Sequence, residues 1–410
     1  MKFYLKQPVI YVCRDLERAL GLPLDTHNYY IISNYTHFAK SLVKGHKNIL
    51  LIKNKGLLDT RDLLVHPQTK KFISNLKNAN ILVFKNTPLL EKICTQAGYH
   101  LLNSSAELAT MIEEKITQVK WLEELKKYLP HQEIKLAKEV SWSGEKFILQ
   151  FNRAHTGSGT ILVKNDAQLK EIQQNFPDRP VRVTKYIDGI MLTNNNVVWG
   201  KKVLCGNINI QITGMSPFTN RPFATVGNDW AYPHKILSIR QKKEYENMAK
   251  HIGEKMAKNN WRGLFGIDVI CEHKTGKLYL IEINARQPAS TSFESQLQQQ
   301  KNPIGLTTFQ AHLLSLLGEK NTQSKLTAIK DGAQITQKVL TTKNKIVTKQ
   351  LDKSIKRLNK NNFQVFVYDN TELESDWVRL QSYQSILKDD QTLNKIGEQL
   401  KAFSLSILVK

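Results

Sequence analysis

A chain of 410 residues with 41% hydrophobic and 8% aromatic content is long enough for two or three domains with sizeable cores, which excludes a disordered chain. Lys and Arg (59) outnumber Asp and Glu (36) to give +23, a field that draws anions such as nucleotides or acidic peptides. The lysines are spread along the chain, and no RNP-like or zinc-finger pattern accompanies them, which argues against a nucleic-acid partner.

The start, MKFYLKQPVIYVCRDLERAL, has a short apolar run interrupted by Arg14, Asp15 and Glu17, unlike a signal peptide, and no run reaches the length of a membrane span. Cys13, Cys94, Cys205 and Cys271 show no CxxC spacing, so neither a zinc site nor a disulfide framework is expected, and a reducing cytoplasm is the simplest location. YYIIS (29–33), NILLI (48–52), NILVF (80–84) and YHLL (99–102) then alternate with helix-like segments, the pattern of a parallel, Rossmann-like sheet. The first strand, at 29–33, is followed by SNYTHF rather than G-x-G-x-x-G, so the fold reading brings no dinucleotide with it.

A helix is expected over 104–129, with Ser105 as N-cap and Pro130 as its stop. There follow a β-rich block with a glycine loop (145–165), a helix near 167–175 and a strand at 181–187. Residues 197–214 read as paired strands and 218–234 as a loop. The helix at 243–260 carries Tyr245, Met248, Ala249, Ile252 and Met256 on one stripe, a core-facing pattern. It feeds a hairpin, GLFGIDVICE–HKTG–KLYLIEINAR (263–286). Beyond it, strands are expected near 334–340 and 363–369, and a basic helix within 343–362.

In the hairpin, LYLIEINARQPAS places Leu280, Glu282, Asn284 and Arg286 on one face of an extended segment and Tyr279, Ile281, Ile283 and Ala285 on the other. Asp268 can come alongside Glu282 across the turn. Two carboxylates and an amide on rigid strands suit a hard cation that shares its shell with phosphates, Mg2+ or Mn2+ rather than zinc. Upstream, HTGSGT (155–160) puts two glycines and three hydroxyl-bearing side chains in six positions, a phosphate-flap candidate that is not a Walker loop.

The order of a strand–glycine loop–strand flap, then VTKYIDG, then GIDVI and IEINAR resembles the ATP-grasp superfamily, in its biotin-carboxylase-like and carboxylate–amine ligase branch. The resemblance implies an α/β (α+β) architecture: a Rossmann-like N-terminal domain over 1–112, an ATP-grasp domain over 113–312 with its flap subdomain at about 140–190, and a smaller C-terminal α/β region over 313–410. It implies ATP and Mg2+ (or Mn2+) as cofactors, with Asp268, Glu282 and Asn284 as metal ligands and Arg286 as the catalytic residue. Lys115 would reach phosphate, Gly157, Ser158 and Gly159 would close over it, and Lys185, Tyr186 and Ile187, with Ile270, would line the nucleotide. Gln150 stands where the family presents a lysine to phosphate, so either Arg153, Lys146 or His155 supplies the charge or ATP affinity is modest. The reaction implied is amide formation from small-molecule or peptide-like carboxylate and amine substrates. Biotin-carboxylase-like carboxylation and a catalytically impaired nucleotide-binding scaffold are the alternatives.

Overall fold

The computed structural model describes residues 3–152, 159–321, 323–341 and 363–408, and their strands lie in separate sheets, taken here in chain order. The first is built from β1 (Val9–Val12), β2 (Tyr29–Asn34), β3 (Ile49–Ile52), β4 (Asn80–Leu82) and β5 (His100–Leu101), in the order β3-β2-β1-β4-β5. All its pairings are parallel, as the alternation of short apolar strands with helices dictates. The sheet's middle strand, β1, was not among the expected strands: its four residues read as an apolar N-terminal run. The strand before SNYTHF is therefore the second, and CRDLERALGL, which follows β1, also lacks the dinucleotide glycines.

One face of this sheet packs Ile10, Val12, Ile32 and Ile81 against Leu63, Leu64, Ile73 and Leu90. The other is sealed from far along the chain: Phe309, Leu313 and Leu316 of the helix Thr308–Leu316 sit against Tyr11, Tyr29 and Ile31. Burying side chains of this size contributes about 1.5–3 kcal/mol each, which ties the N-terminal sheet to the segment that follows the hairpin.

The second sheet is antiparallel, from β6 (Gln132–Leu136), β7 (Phe147–Phe151), β8 (Thr160–Val163) and β9 (Pro180–Lys185), in the order β6-β9-β7-β8. Phe147, Leu149, Phe151 and Val181 point to a core completed by Leu169 and Ile172 of the helix Asp166–Asn175.

The third sheet contains β10 (Gly189–Trp199), β11 (Lys202–Leu204), β12 (Asn209–Thr213), β13 (Thr225–Asp229), β14 (Gly263–Glu272), β15 (Leu278–Asn284), β16 (Ala333–Lys338), β17 (Phe363–Val367) and β18 (Asp376–Ser382). Its order is β15-β14-β10-β12-β13-β16-β18-β17, with β11 beside β10. The helix Ile239–Lys258, closed by a Ser238–Gln241 capping box, lays its predicted stripe of Tyr245, Met248, Ala249, Ile252 and Met256 into the core beneath β10, β14 and β15.

Three further expectations need correction. The segment 218–234 is not only loop: it holds β13 and the helix Tyr232–Ile236, and the Asp229 carboxylate accepts from the Ala231 and Tyr232 amides at 2.9 and 3.1 Å to start that helix. The helix over 104–129 is three pieces, Ala106–Glu113, Lys115–Leu122 and the 3-10 turn Glu123–Tyr128, although Ser105 does cap the first. The hairpin does not alternate evenly. Asp268 pairs with Glu282 but Val269 pairs with Leu280, so Ile281 is the extra residue of a β-bulge. Leu280 therefore joins Leu278, Ile283 and Ala285 in the core instead of sharing a face with Glu282. The expected helix within 343–362 lies outside the described residues.

Among the described residues, no helix is long and apolar enough to cross a membrane, and Cys13, Cys94, Cys205 and Cys271 are free.

Candidate active site

The bulge decides where the hairpin's polar groups emerge. Phe265, Ile267, Val269 and Cys271 take the core face of β14, which leaves Asp268 and Ile270 on the opposite one. After Ile281 has shifted the phase of β15, Glu282 and Asn284 come out beside Asp268. Asn284 Nδ2 donates to Asp268 Oδ2 at 3.2 Å, and Gln211 Nε2 donates to Asp268 Oδ1 at 2.8 Å. Gln211, on β12, is held in turn by Thr225 Oγ1, which donates to its Oε1 at 3.1 Å. Asn284 thus keeps its carbonyl oxygen for a further partner.

The two carboxylates titrate apart. Burial, and then the neighbouring Glu282, push Asp268 up to about 6. Burial works against ionised Glu282 as well, but Lys115 and Arg286 outweigh it and hold Glu282 below the usual range. A pair of half-buried carboxylates, one of them penalised for its charge, is an environment that a cation relieves. The donors are oxygen only, two carboxylates and one amide, which fits Mg2+ and not a thiophilic metal. No cluster of three His, Cys, Asp or Glu occurs among the described residues, so an amide completes this set.

Lys115 reaches this point because the helix breaks ahead of it. Glu114 is extended (φ −70°, ψ 134°), and Asn152, at the end of β7, caps the new start: its side-chain oxygen accepts from the Ile116 amide at 2.9 Å while its Nδ2 donates to Glu114 Oε2 at 2.7 Å. The Lys115 Nζ then lies 2.7 Å from Glu282 Oε2. Arg286 is oriented by Glu113, whose Oε1 it meets through Nη1, and Glu113 Oε2 accepts from Lys85 at 2.6 Å. Gly266 permits the turn after Arg286: a Cβ there would meet Pro288 Cγ at 2.9 Å. On the far side, the Gln287 amide donates to the Phe84 carbonyl at 3.0 Å, joining this turn to the end of the N-terminal sheet.

The structure brings together Lys115, Asp268, Glu282, Asn284 and Arg286. Ile270 lies two residues along β14 on the same face as Asp268. Lys185 closes β9 opposite Phe147, and its amide donates to the His131 carbonyl at 3.0 Å. Tyr186 lies under the Lys146 ammonium, 4.1 Å from the ring centroid, and Ile187 is buried. Gln150 sits on β7 and donates to Thr160 Oγ1 at 3.3 Å. Gly159 is at the start of the returning strand, and its carbonyl accepts from the Phe151 amide at 3.0 Å. Gly157 and Ser158, with Arg153 and His155, lie outside the described residues. Glu113, Lys85 and Asn152 had not been singled out; the MIEEKI segment drew attention only to its lysine.

A Rossmann-like sheet, an antiparallel flap sheet and a carboxylate-bearing hairpin facing it define an ATP-grasp architecture. Residues 112–290 match the ATP-grasp domain family, so this stretch of the chain is identified as an ATP-grasp domain. A search by sequence among curated proteins returns no match. Solved structures are similar over nearly the whole chain. N5-carboxyaminoimidazole synthetase from Staphylococcus aureus, complexed with ADP, superposes with a TM-score of 0.63 at 12% identity, covering 98% of both chains. N5-carboxyaminoimidazole synthase from Aspergillus clavatus, with ADP and 5-aminoimidazole ribonucleotide, gives 0.65 at 13%, covering 98% of this chain and 99% of that one. The biotin carboxylase domain of Hydrogenobacter thermophilus 2-oxoglutarate carboxylase, with MgADP, ADP and bicarbonate, gives 0.59 at 12%, covering 92% and 86%. At these identities the likeness is one of fold.

Proposed function

We propose that the chain is an ATP-dependent carboxylate–amine ligase that forms an amide through an acyl phosphate, releasing ADP and phosphate, and that it works in the cytoplasm. The observation that carries this reading is the in-register pair Asp268 and Glu282, with Asn284 beside them and Lys115 and Arg286 around them. Asp268, Glu282 and Asn284 would hold Mg2+, which when bound offsets the charge on the phosphate oxygens.

The remaining groups do the chain's own work. Lys115 Nζ, paired with Glu282, would transfer its contact to a phosphate oxygen. Ile270 and Ile187 offer apolar surface to the base, and Lys185, Tyr186 and Ile187 offer backbone groups to its edge. A substrate carboxylate attacks the γ-phosphate, and Arg286, fixed by Glu113, donates to the oxygens on which charge gathers. An amine then attacks the acyl carbon, the tetrahedral oxyanion receives the same guanidinium, and phosphate leaves. The flap of Gly157, Ser158 and Gly159 would exclude water, which would otherwise hydrolyse the acyl phosphate.

A second reading takes bicarbonate as the carboxylate, favoured by the similar biotin carboxylase domain, whose complex holds MgADP, ADP and bicarbonate. Against it, Gln287-Pro288-Ala289-Ser290-Thr291 after Arg286 supplies neither acid nor histidine. ADP release screened over carboxylate and amine pairs, with mass analysis of the product, tests the proposal. Release that needs bicarbonate and incorporates its carbon would select the second reading. Tight nucleotide binding with no turnover on any pair would leave a scaffold.

A further inference from the structure

Arg182 on β9 has no role in the site as described, yet it is 1% exposed. Its neighbours Val181 and Val183 pack with the flap sheet's core, so Arg182 emerges on the other face with Thr184, Ile148 and Gln150. That face meets the helix Lys115–Leu122, and so looks into the cleft between flap and hairpin. Gln150 and Arg182 are directly opposed in the β7–β9 register. The guanidinium Nε and Nη1 are buried without a hydrogen-bond partner. Glu282, across the cleft, is the carboxylate whose charge reaches it, and burial holds its pKa down at about 10, well below that of an ordinary arginine. A fully buried guanidinium with two idle donors calls for an anion between the sheets. Lys146, by contrast, is engaged over the Tyr186 ring.

We infer that Arg182 is a phosphate-binding residue of the nucleotide site, supplying from β9 the positive charge that the neutral Gln150 does not supply from β7. The inference rests on the nucleotide-site reading above. A planar fork beneath the flap donates two hydrogen bonds to phosphate oxygens, and the opposed amide of Gln150 adds a neutral donor next to it. Nucleotide phosphate would thereby become part of what holds the two sheets together.

The test is titration calorimetry of the full chain with Mg2+ and ADP, a non-hydrolysable ATP analogue, or adenosine. Arg182→Met should weaken ADP and analogue binding about 10- to 100-fold, the worth of a charged hydrogen bond, and leave adenosine affinity unchanged. Adding Gln150→Lys to Arg182→Met places a cation on the same patch and should recover most of the loss. Unchanged ADP affinity in Arg182→Met, or equal losses for ADP and adenosine, would overturn the inference while leaving the nucleotide site standing. Wild-type protein that binds none of the three would overturn both. Should Arg182→Met fail to fold, Arg182→Lys against Arg182→Gln decides: tighter ADP binding by the lysine variant supports the role, and equal affinity refutes it.

Discussion

Glu294 offers a sharp test of the electrostatics behind the site, because it is a buried carboxyl with no cation paired to it among the described residues. It lies in the helix Thr291–Lys301, seven residues after Gln287, and is 0% exposed. Asn195 Nδ2 donates to its Oε2; the Asn207 amide and Nδ2 donate to its Oε1 at 3.1 and 3.0 Å. These bonds favour the charged form, yet burial prevails and raises the group from 4.5 to about 7. The unfolded chain therefore ionises Glu294 at lower pH than the native one does, and ionisation opposes folding. The penalty is absent below the unfolded value, grows as pH rises between the two, and levels off above the folded one at about 3 kcal/mol. Glu294→Gln removes that charge. Its oxygen can keep both Asn207 bonds, while its Nε2 faces the Asn195 amide, which must turn over; Ser290 Oγ, which both donates to and accepts from Asn195, tolerates the turn. Allowing about 1 kcal/mol for imperfect re-pairing, the variant should be more stable by about 2 kcal/mol near pH 8. The gain should shrink as pH falls toward 5. Thermal melts of both proteins across that range are the assay. A Gln variant that melts below wild type near pH 8, or whose advantage does not diminish with acid, would refute the reasoning.

Other outcomes follow from the cleft. Glu282→Gln and Asp268→Asn should each abolish ATP turnover with the circular dichroism of the wild type retained; near-normal turnover in both variants would remove the metal assignment. Arg286→Ala should leave ADP affinity within a few-fold and lower kcat by about 10²–10³, the size of a lost oxyanion donor; loss of nucleotide binding in a folded variant would contradict that role. Lys115→Met should raise the Glu282 pKa, since the Lys115 charge is the leading influence holding it down, so that Mg2+ binding to the variant requires higher pH. A metal-binding profile unmoved along the pH axis would show that the ion pair is incidental.

The hairpin was legible because its chemistry is written in consecutive residues: GIDVI and IEINAR carry their own spacing, and HKTG marks the turn between them. What sequence could not convey was decided by contacts from elsewhere. Nothing in LYLIEIN announces that Ile281 bulges, since the evidence for it is the register against Val269 and Asp268. The break before Lys115 is made by Asn152, some forty positions along, and a helical pattern read alone runs straight through it. VIYV is only four residues long and is followed by charge, so it passed for a terminal run although it is the middle strand of its sheet. VRVTKYI alternates as any half-solvated strand does, and only the apposed cleft reveals that its arginine is buried. β13 was hidden among turn-forming residues, and its strand character comes from pairing with β12 and β16.

That last pairing bears on how the molecule can be made and dissected. Gly227, Asn228 and Asp229 of β13 are matched to Ile335, Gln334 and Ala333 of β16, and the Asp229 carboxylate also accepts from Ser385 Oγ and the Ile386 and Leu387 amides at 2.7, 2.9 and 3.2 Å. A fragment ended after the hairpin and its following helices would present β13 as a bare strand edge beside a carboxylate stripped of three donors, an open template for polymerisation. On the ribosome the same edge waits until the closing strands emerge, long after β14 and β15 have met. The chemistry-bearing strands can thus pair before β16 and β18 emerge, and until those strands arrive their sheet keeps an open edge.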